Sequence, residues 1–253
     1  MTSAMPAGLR TTTLAARPDL VDAFWTLPST WAPFSEADPV GERLFGLAVG
    51  RSPGLQLLLL DEADHVLARL VATPFPWSGE DDDLPARGWD AVLERSDAAA
   101  RRGAPASAVS LLEARVHPAH QGRGLSGHLV RAGRDTVRAT GVCDLVAPVR
   151  PTGKTSARTT VAAHAAALRD DGLPVDPWLR THVRAGGRVV GACPLSMTVP
   201  GTLAQWRAWT GLPFDASGDV EVPGALAPVH VDVEQDHAVY VEANVWVHHR
   251  LAR

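Results

Sequence analysis

The stretch from Ser107 to Val149 constrains the fold of this chain more than any other, because it sets two apolar strands around one amphipathic helix. Ser107 to Val116 reads as a strand carrying Val109, Leu111, Leu112 and Val116. Leu125, Leu129, Val130, Ala132 and Val137 then recur at helical spacing over about Leu125 to Thr140, opposite Arg131, Arg134 and Arg138, and Gly141 supplies a stop signal. Val142 to Val149 is short and apolar on both faces, the pattern of a strand buried within a sheet. If the two strands lie parallel, the helix joins them by a right-handed crossover.

The rest of the chain fits a mixed α/β class. Upstream, Leu9 to Leu14 reads as a strand and Pro18 to Trp25 as a helix; Asp38-Pro39 opens a second helix through Ala48, with a capping acid and a proline at the first helical position. Gln56 to Leu60 and Val66 to Thr73 make a hairpin, Trp77 to Gly88 a loop, and Trp89 to Arg101 a helix closed by Gly103. Downstream come helices over Ser156 to Leu168 and from Asp176-Pro177 to near Gly186, a strand from Arg188 to Cys193, a short helix from Thr202 to Thr210, and a β-rich end from Val220 to Val247. The expected organisation is one domain over residues 1–253, with a core over 106–195 and an enlarged C-terminal β-rich part over 196–253.

Composition excludes several classes of function. A hydrophobic fraction of 45% fills a sizeable core, yet no run approaches the roughly 20 apolar residues of a membrane span. Met1 to Thr13 has neither a charged n-region nor an apolar h-region, so a cytoplasmic protein is expected. The net charge of −4 argues against a nucleic-acid partner held on a broad basic surface and admits a cationic amine. Cys143 and Cys193 form no Cys-x-x-Cys pair and are expected to be small buried hydrophobes. His117, His120, His248 and His249 have no acidic or cysteine partner at ligand spacing, so no metal is expected.

The chemistry concentrates in Val116-His117-Pro118-Ala119-His120-Gln121-Gly122-Arg123-Gly124-Leu125-Ser126, where a strand turns into a helix. Gly122 and Gly124 let backbone approach a ligand, and the unpaired N–H groups and positive end of the helix favour an anion such as phosphate. Arg123 adds a side-chain charge. Gly122, Gly124 and Gly127 also spell a dinucleotide fingerprint, with Asp144 downstream. That acid sits at the start of the next strand rather than its end, and a polar loop separates strand from glycines, against the dinucleotide arrangement. Gly153-Lys154-Thr155 copies the end of a P-loop, but Pro148 stands where its first glycine belongs.

These residues resemble the GNAT superfamily of acyl-CoA-dependent N-acyltransferases. Gln121, Gly124 and Ser126 occupy the signature positions, with Val116 and Pro118 in register upstream; Ser126 is a departure, since Gly or Ala is usual there. The resemblance implies a GNAT-like mixed sheet, acetyl-CoA or another acyl-CoA as co-substrate, and a small-molecule amine as acceptor. It places Arg115, Val116, Gln121, Gly122, Arg123, Gly124, Leu125 and Ser126 at the coenzyme, with backbone N–H groups near Arg115 and Val116 beside the carbonyl. Val142 to Val149 matches the strand that splays away to admit pantetheine.

Catalytic roles stay open at this point. The family's usual tyrosine, counted back from the glycine turn at Gly186, is replaced by His182, so the acid is either His182 or Tyr240, the only tyrosine. Glu113, on the strand that presents the thioester, is either the base or a solvated strand residue. The last strand alternates Val239, Val241, Ala243, Val245 and Val247 with Tyr240, Glu242, Asn244, Trp246 and His248. The second face either lines an amine pocket, through Glu242 and Asn244, or is an ordinary exposed face. A catalytically silent acyl-CoA sensor of the same fold is the alternative to an enzyme, and a protein-modifying acyltransferase is a third. The sequence leaves oligomeric state open, with a homodimer among the options.

Overall fold

The computed structural model describes residues 8–251. Nine strands form one mixed sheet in the order β1-β2-β3-β4-β5-β9-β8-β7, with β6 also paired to β9. The strands are β1 (Arg10–Thr13), β2 (Leu57–Leu60), β3 (Val66–Phe75), β4 (Ala108–Val116), β5 (Asp144–Val149), β6 (Arg188–Gly201), β7 (Gly218–Val220), β8 (Val229–Asp232) and β9 (His237–Arg250). The helices are α1 (Val21–Trp25), α2 (Pro39–Arg51), α3 (Gly88–Arg102), α4 (Leu125–Ala139), α5 (Val161–Ala166), α6 (Pro177–Arg184) and α7 (Leu203–Thr210). No helix among the described residues is long and apolar enough to cross a membrane.

Four consecutive leucines in β2 show how the sheet is buried. Side chains alternate faces along a strand, so Leu57 and Leu59 join one core with Leu70, Leu129, Leu145 and Val247, beneath α4 and α6. Leu58 and Leu60 join a second core with Phe24, Leu44, Phe75, Val92 and Trp246, beneath α1, α2 and α3. Each fully buried leucine contributes about 1.5–3 kcal/mol, and a one-residue slip in register would exchange the two sets. A third cluster, with Trp206, Phe34, Phe214 and Tyr240, packs α7 onto the start of β9.

The sheet opens in its middle. β4 and β5 are parallel and pair only at Val109 with Leu145 and Ser110 with Val146; beyond that, β4 is held by β3 alone and β5 by β9 alone. A bulge sits at the same level. Val71 of β3 faces Glu113 while Ala72 faces Leu111, leaving Leu112 as the extra residue. Its carbonyl accepts from Trp89 Nε1 at 2.9 Å, so α3 fixes the bulge.

Several expectations need correction. The helix expected over Ser156 to Leu168 is confined to α5, where the Thr160 hydroxyl accepts from the Ala163 N–H at its N-terminus. The strand expected to stop at Cys193 runs to Gly201, interrupted between Cys193 and Met197 where the ladder register shifts; Pro194 there has no N–H to donate. Cys193 is buried as expected, and burial pushes its thiol up to about 12, but Cys143 is only partly buried. The polar face of β9 is no exposed face: Tyr240, Glu242, Asn244, Trp246 and His248 are all buried.

Candidate functional site

The loop between β4 and α4 holds its shape by local chemistry. Gly122 and Gly124 have φ of 75° and 74°, and a Cβ built on either meets nothing within 4 Å. Only the backbone conformation therefore demands glycine, and the space in front of it is open. Leu125 is 2% exposed and joins the first core, anchoring the helix start, while Gly122, Gly124 and Ser126 border a cavity of 430 Å³. Gln121 Nε2 donates to the Val116 carbonyl at 3.3 Å, tying the loop to the strand it leaves. Arg123 lies 2.8 Å from His120 Nδ1, on the exposed side of the loop.

The register decides which amides of β4 face this cavity. His117 N–H donates to the Leu67 carbonyl, so the pairs Leu67–His117, Arg69–Arg115 and Val71–Glu113 are the hydrogen-bonded ones of the antiparallel ladder. The N–H groups of Val116 and Ala114 point the other way, toward the parted β5. The amide of Arg115 pairs within the β3 ladder, and those of Ala114 and Val116 flank it on the side of the parted β5.

At the parting of β4 and β5 a small junction cavity shares Ala114, Arg150 and Trp178 with the loop cavity, and Trp89, Leu112 and Glu113 with a third, of 290 Å³. The junction is bordered by Glu113, His182, Glu242 and Asn244, and the third cavity by Trp25, Trp31, Phe45 and Trp89. The structure therefore gathers four of the five predicted catalytic and acceptor residues. Tyr240 is the one it leaves out: it lies in the third core, its hydroxyl donating to Glu242 Oε2 at 2.9 Å and accepting from the Leu226 N–H. Burial, then the Glu242 charge, pushes that hydroxyl well above the ordinary phenol range.

Two of the gathered side chains are bound into networks that restrict their chemistry. Glu113, expected either as base or as solvated residue, is buried. Its Oε1 accepts from Arg69 Nε at 2.5 Å, and its Oε2 from Arg69 Nη2 at 3.2 Å and Arg115 Nη2 at 3.0 Å. Arg69 is itself 2% exposed, donates to the Phe24 carbonyl and lies 4.7 Å from the Phe24 ring centroid. His182 Nδ1 lies 3.0 Å from His249 Nε2, one donating and the other accepting. Burial first and the neighbouring histidine second lower His182 to about 3, and burial with the Arg134 charge lowers His249 to about 3. A value near 3 favours the neutral imidazole of His182 near pH 7, a weaker proton donor than the imidazolium.

Glu242 is 2% exposed and accepts from Arg150 Nε at 2.9 Å besides Tyr240. Asn244, in the orientation that satisfies both ends of its amide, donates to Glu242 Oε1 and passes the network to Ser196 Oγ, each at 3.0 Å. Arg150 borders both the junction and the loop cavity. It went unnoticed in the sequence, where its place just after a buried strand was the only signal. Trp31 and Trp89, which border the junction and the third cavity, gave no sequence signal beyond being aromatic. No group of three or more His, Cys, Asp or Glu among the described residues is arranged to hold a metal ion.

Comparison with known proteins places this geometry. The chain is 31% identical over 277 aligned positions to the arginine N-acetyltransferase avaD of Aspergillus versicolor, covering 97% of this chain and 95% of that protein. Among solved structures, the loading GNATL domain of CurA from Lyngbya majuscula superposes with a TM-score of 0.57 at 18% identity, covering 96% of both chains. The GNAT-like decarboxylase GphF, in complex with isobutyryl-CoA, gives 0.57 at 18% identity, covering 96% of this chain and 99% of that one. These two share the fold. No family model matches the sequence.

Proposed function

The chain belongs to the GNAT superfamily of N-acetyltransferases, and from that premise we propose that it transfers an acetyl group from acetyl-CoA to an amine of a small, arginine-like molecule in the cytoplasm. The single observation that carries the reading is the parting of β4 and β5 beside an open glycine loop, because it supplies a pyrophosphate cradle and a slot through the sheet in line with each other. The residues fit an acyl-CoA. Open space lies in front of Gly122 and Gly124, the start of α4 offers unpaired N–H groups, and the amides of Ala114 and Val116 face the slot. When bound, the co-substrate supplies an activated thioester carbonyl.

The chain's own contribution is to bind and orient. The loop and the start of α4 hold the phosphates, the Ala114 and Val116 amides direct hydrogen bonds to the carbonyl oxygen, and the acceptor approaches from the aromatic cavity. Glu113 holds β4 in its bulged path through Arg69 and Arg115. Glu242 and Asn244 present a polar wall at the junction; the attacking amine gives up its proton to water and water returns one to the departing thiolate, since His182 is engaged with His249 and Tyr240 lies outside the slot. The relationship to a named N-acetyltransferase over nearly the whole chain does not favour a silent sensor. The test is free CoA released on adding arginine and related amines to protein and acetyl-CoA: amine-dependent release supports the proposal, and tight acetyl-CoA binding without release from any amine overturns it.

A further inference from the structure

Two aspartates near the aromatic cavity have no role in the reaction described so far. Asp38 caps α2, its Oδ2 accepting from the Gly41 N–H at 2.6 Å, and Asp90 lies in the first turn of α3. They are 2% and 1% exposed. In each, Oδ1 is buried and no donor among the described residues meets it in hydrogen-bond geometry. Two buried carboxylates that act on one another disfavour each other's charge, and one proton held between them relieves both. Burial and the charge of Asp38 push Asp90 up to about 8, and burial raises Asp38 as well.

The charged groups around the pair are few. Just before α3, at its N-cap, Arg87 places Nη2 3.7 Å from Asp90, and Arg87 is itself taken by Glu94 at 2.7 Å. Glu42 lies on α2, Arg69 on β3, and Glu113 with Arg115 on β4, all bordering the cavity. β6 contributes the Thr198 N–H to Asp38 and, near Gly88, the thiol of Cys193, which burial keeps protonated.

Asp38 borders the cavity, and Asp90 is not among the residues that line it. The rim and walls are Trp25, Trp31, Phe45 and Trp89, with Phe45 stacked on Trp89 at 5.8 Å and Trp25 and Trp31 about 40% exposed at 42% and 40%. Glu36, Asp38, Glu42 and Glu113 border it against only Arg69 and Arg115. Aromatic faces and an excess of carboxylate together select a positive charge.

We propose that this cavity receives a cationic group of the acceptor, a guanidinium or second ammonium, with Asp38 as its counter-ion, and that the cation enters in exchange for the proton Asp38 shares with Asp90. The proposal rests on the N-acyltransferase reading and names the acceptor class and the residue that selects it. The exchange balances: one cation enters, and up to one proton leaves to solvent. Below the titration of the pair the proton competes with the cation, so affinity rises with pH.

The test is binding, read by titration calorimetry on the full chain with L-arginine and with L-citrulline, which matches it in shape but has a neutral end. Measurements at pH 7 in two buffers of different ionisation enthalpy count the protons exchanged. Arginine is expected to bind at least about 30-fold tighter than citrulline and to release a fraction of a proton. Asp38→Asn, which keeps a good N-cap, is expected to weaken arginine tenfold or more, leave citrulline unchanged and abolish the release. Asp90→Asn, whose amide donates to Asp38, is expected to keep arginine binding but abolish the release. Equal affinity of the wild-type protein for the two ligands overturns the proposal, as does an undiminished preference in Asp38→Asn. Wild-type binding needs no variant to fold and no turnover, so failure here is separate from failure of the CoA-release assay.

Discussion

Replacing Glu113 by Gln removes a carboxylate that two guanidinium groups share, and the structure makes the cost a matter of stability. Arg69, with its side chain 3% exposed, loses the partner at 2.5 and 3.2 Å and keeps the Phe24 carbonyl and the Phe24 and Trp25 rings. Breaking a buried pair from one side costs about 3–5 kcal/mol. The glutamine oxygen still accepts one hydrogen bond, worth about 1 kcal/mol, and Arg115, 12% exposed, retains Glu36 at 3.5 Å. The expected loss is about 2–4 kcal/mol, which in urea moves the midpoint down by about 1 M for a protein of this size. Urea unfolding followed by tryptophan fluorescence measures it. Turnover, assayed well below the new midpoint with both substrates saturating, is expected to stay within about threefold of wild type. An unchanged midpoint together with a turnover number lowered about 100-fold and a flattened acidic limb would refute this reasoning and make Glu113 the general base.

Three further outcomes are expected. Gly124→Val places a β-branched residue at φ 74° with its side chain over the open cradle, so the dissociation constant for acetyl-CoA, measured by calorimetry, should rise at least about tenfold, with about 1–2 kcal/mol lost from stability. His182 and His249 are lowered from 6.5 to about 3, so the folded state holds them neutral; their contribution is complete above about pH 6.5 and is lost as pH falls toward 3. His182→Gln should flatten that acid limb in a thermal-melt series while changing turnover at pH 8 by less than about threefold. Asp90 has the opposite sign: its raised value means that the folded state binds the proton more tightly, so stability is lost as pH rises from about 4 through 8. Asp90→Asn should therefore raise stability at pH 8.5 by about 1–3 kcal/mol, after allowance for water reaching the pair, with little change at pH 4.

What the sequence disclosed and what it hid divide by the range of the interactions involved. The loop from Gln121 to Ser126 was legible because a strand end, left-handed glycines and a helix start are neighbours in the chain. Asp38 before Pro39 was legible as a cap for the same reason. Its partnership with Asp90 was not, since two carboxylates on different helices meet only when the helices pack. Glu113 illustrates the limit most clearly: Arg69, 44 residues away, binds that carboxylate and buries it. The alternation along β9 correctly grouped Glu242 with Asn244, yet it could not say which side of the strand faces the interior, because polar side chains on a buried face are held by partners such as Arg150 and Ser196 drawn from elsewhere. The bulge at Leu112 likewise has no local signature, as it depends on Trp89 reaching the freed carbonyl.

The central claim is that an acyl group crosses the slot between β4 and β5 to an amine. Its most direct test follows the atoms: the protein is incubated with acetyl-CoA carrying an isotopically labelled acetyl group and with arginine, and products are identified by mass spectrometry while free thiol is counted. The account predicts a labelled N-acetyl product formed in step with free CoA, with neither appearing when the amine or the protein is withheld. Tight binding of acetyl-CoA, with no label transferred to arginine or to any other amine offered in its place, would contradict it.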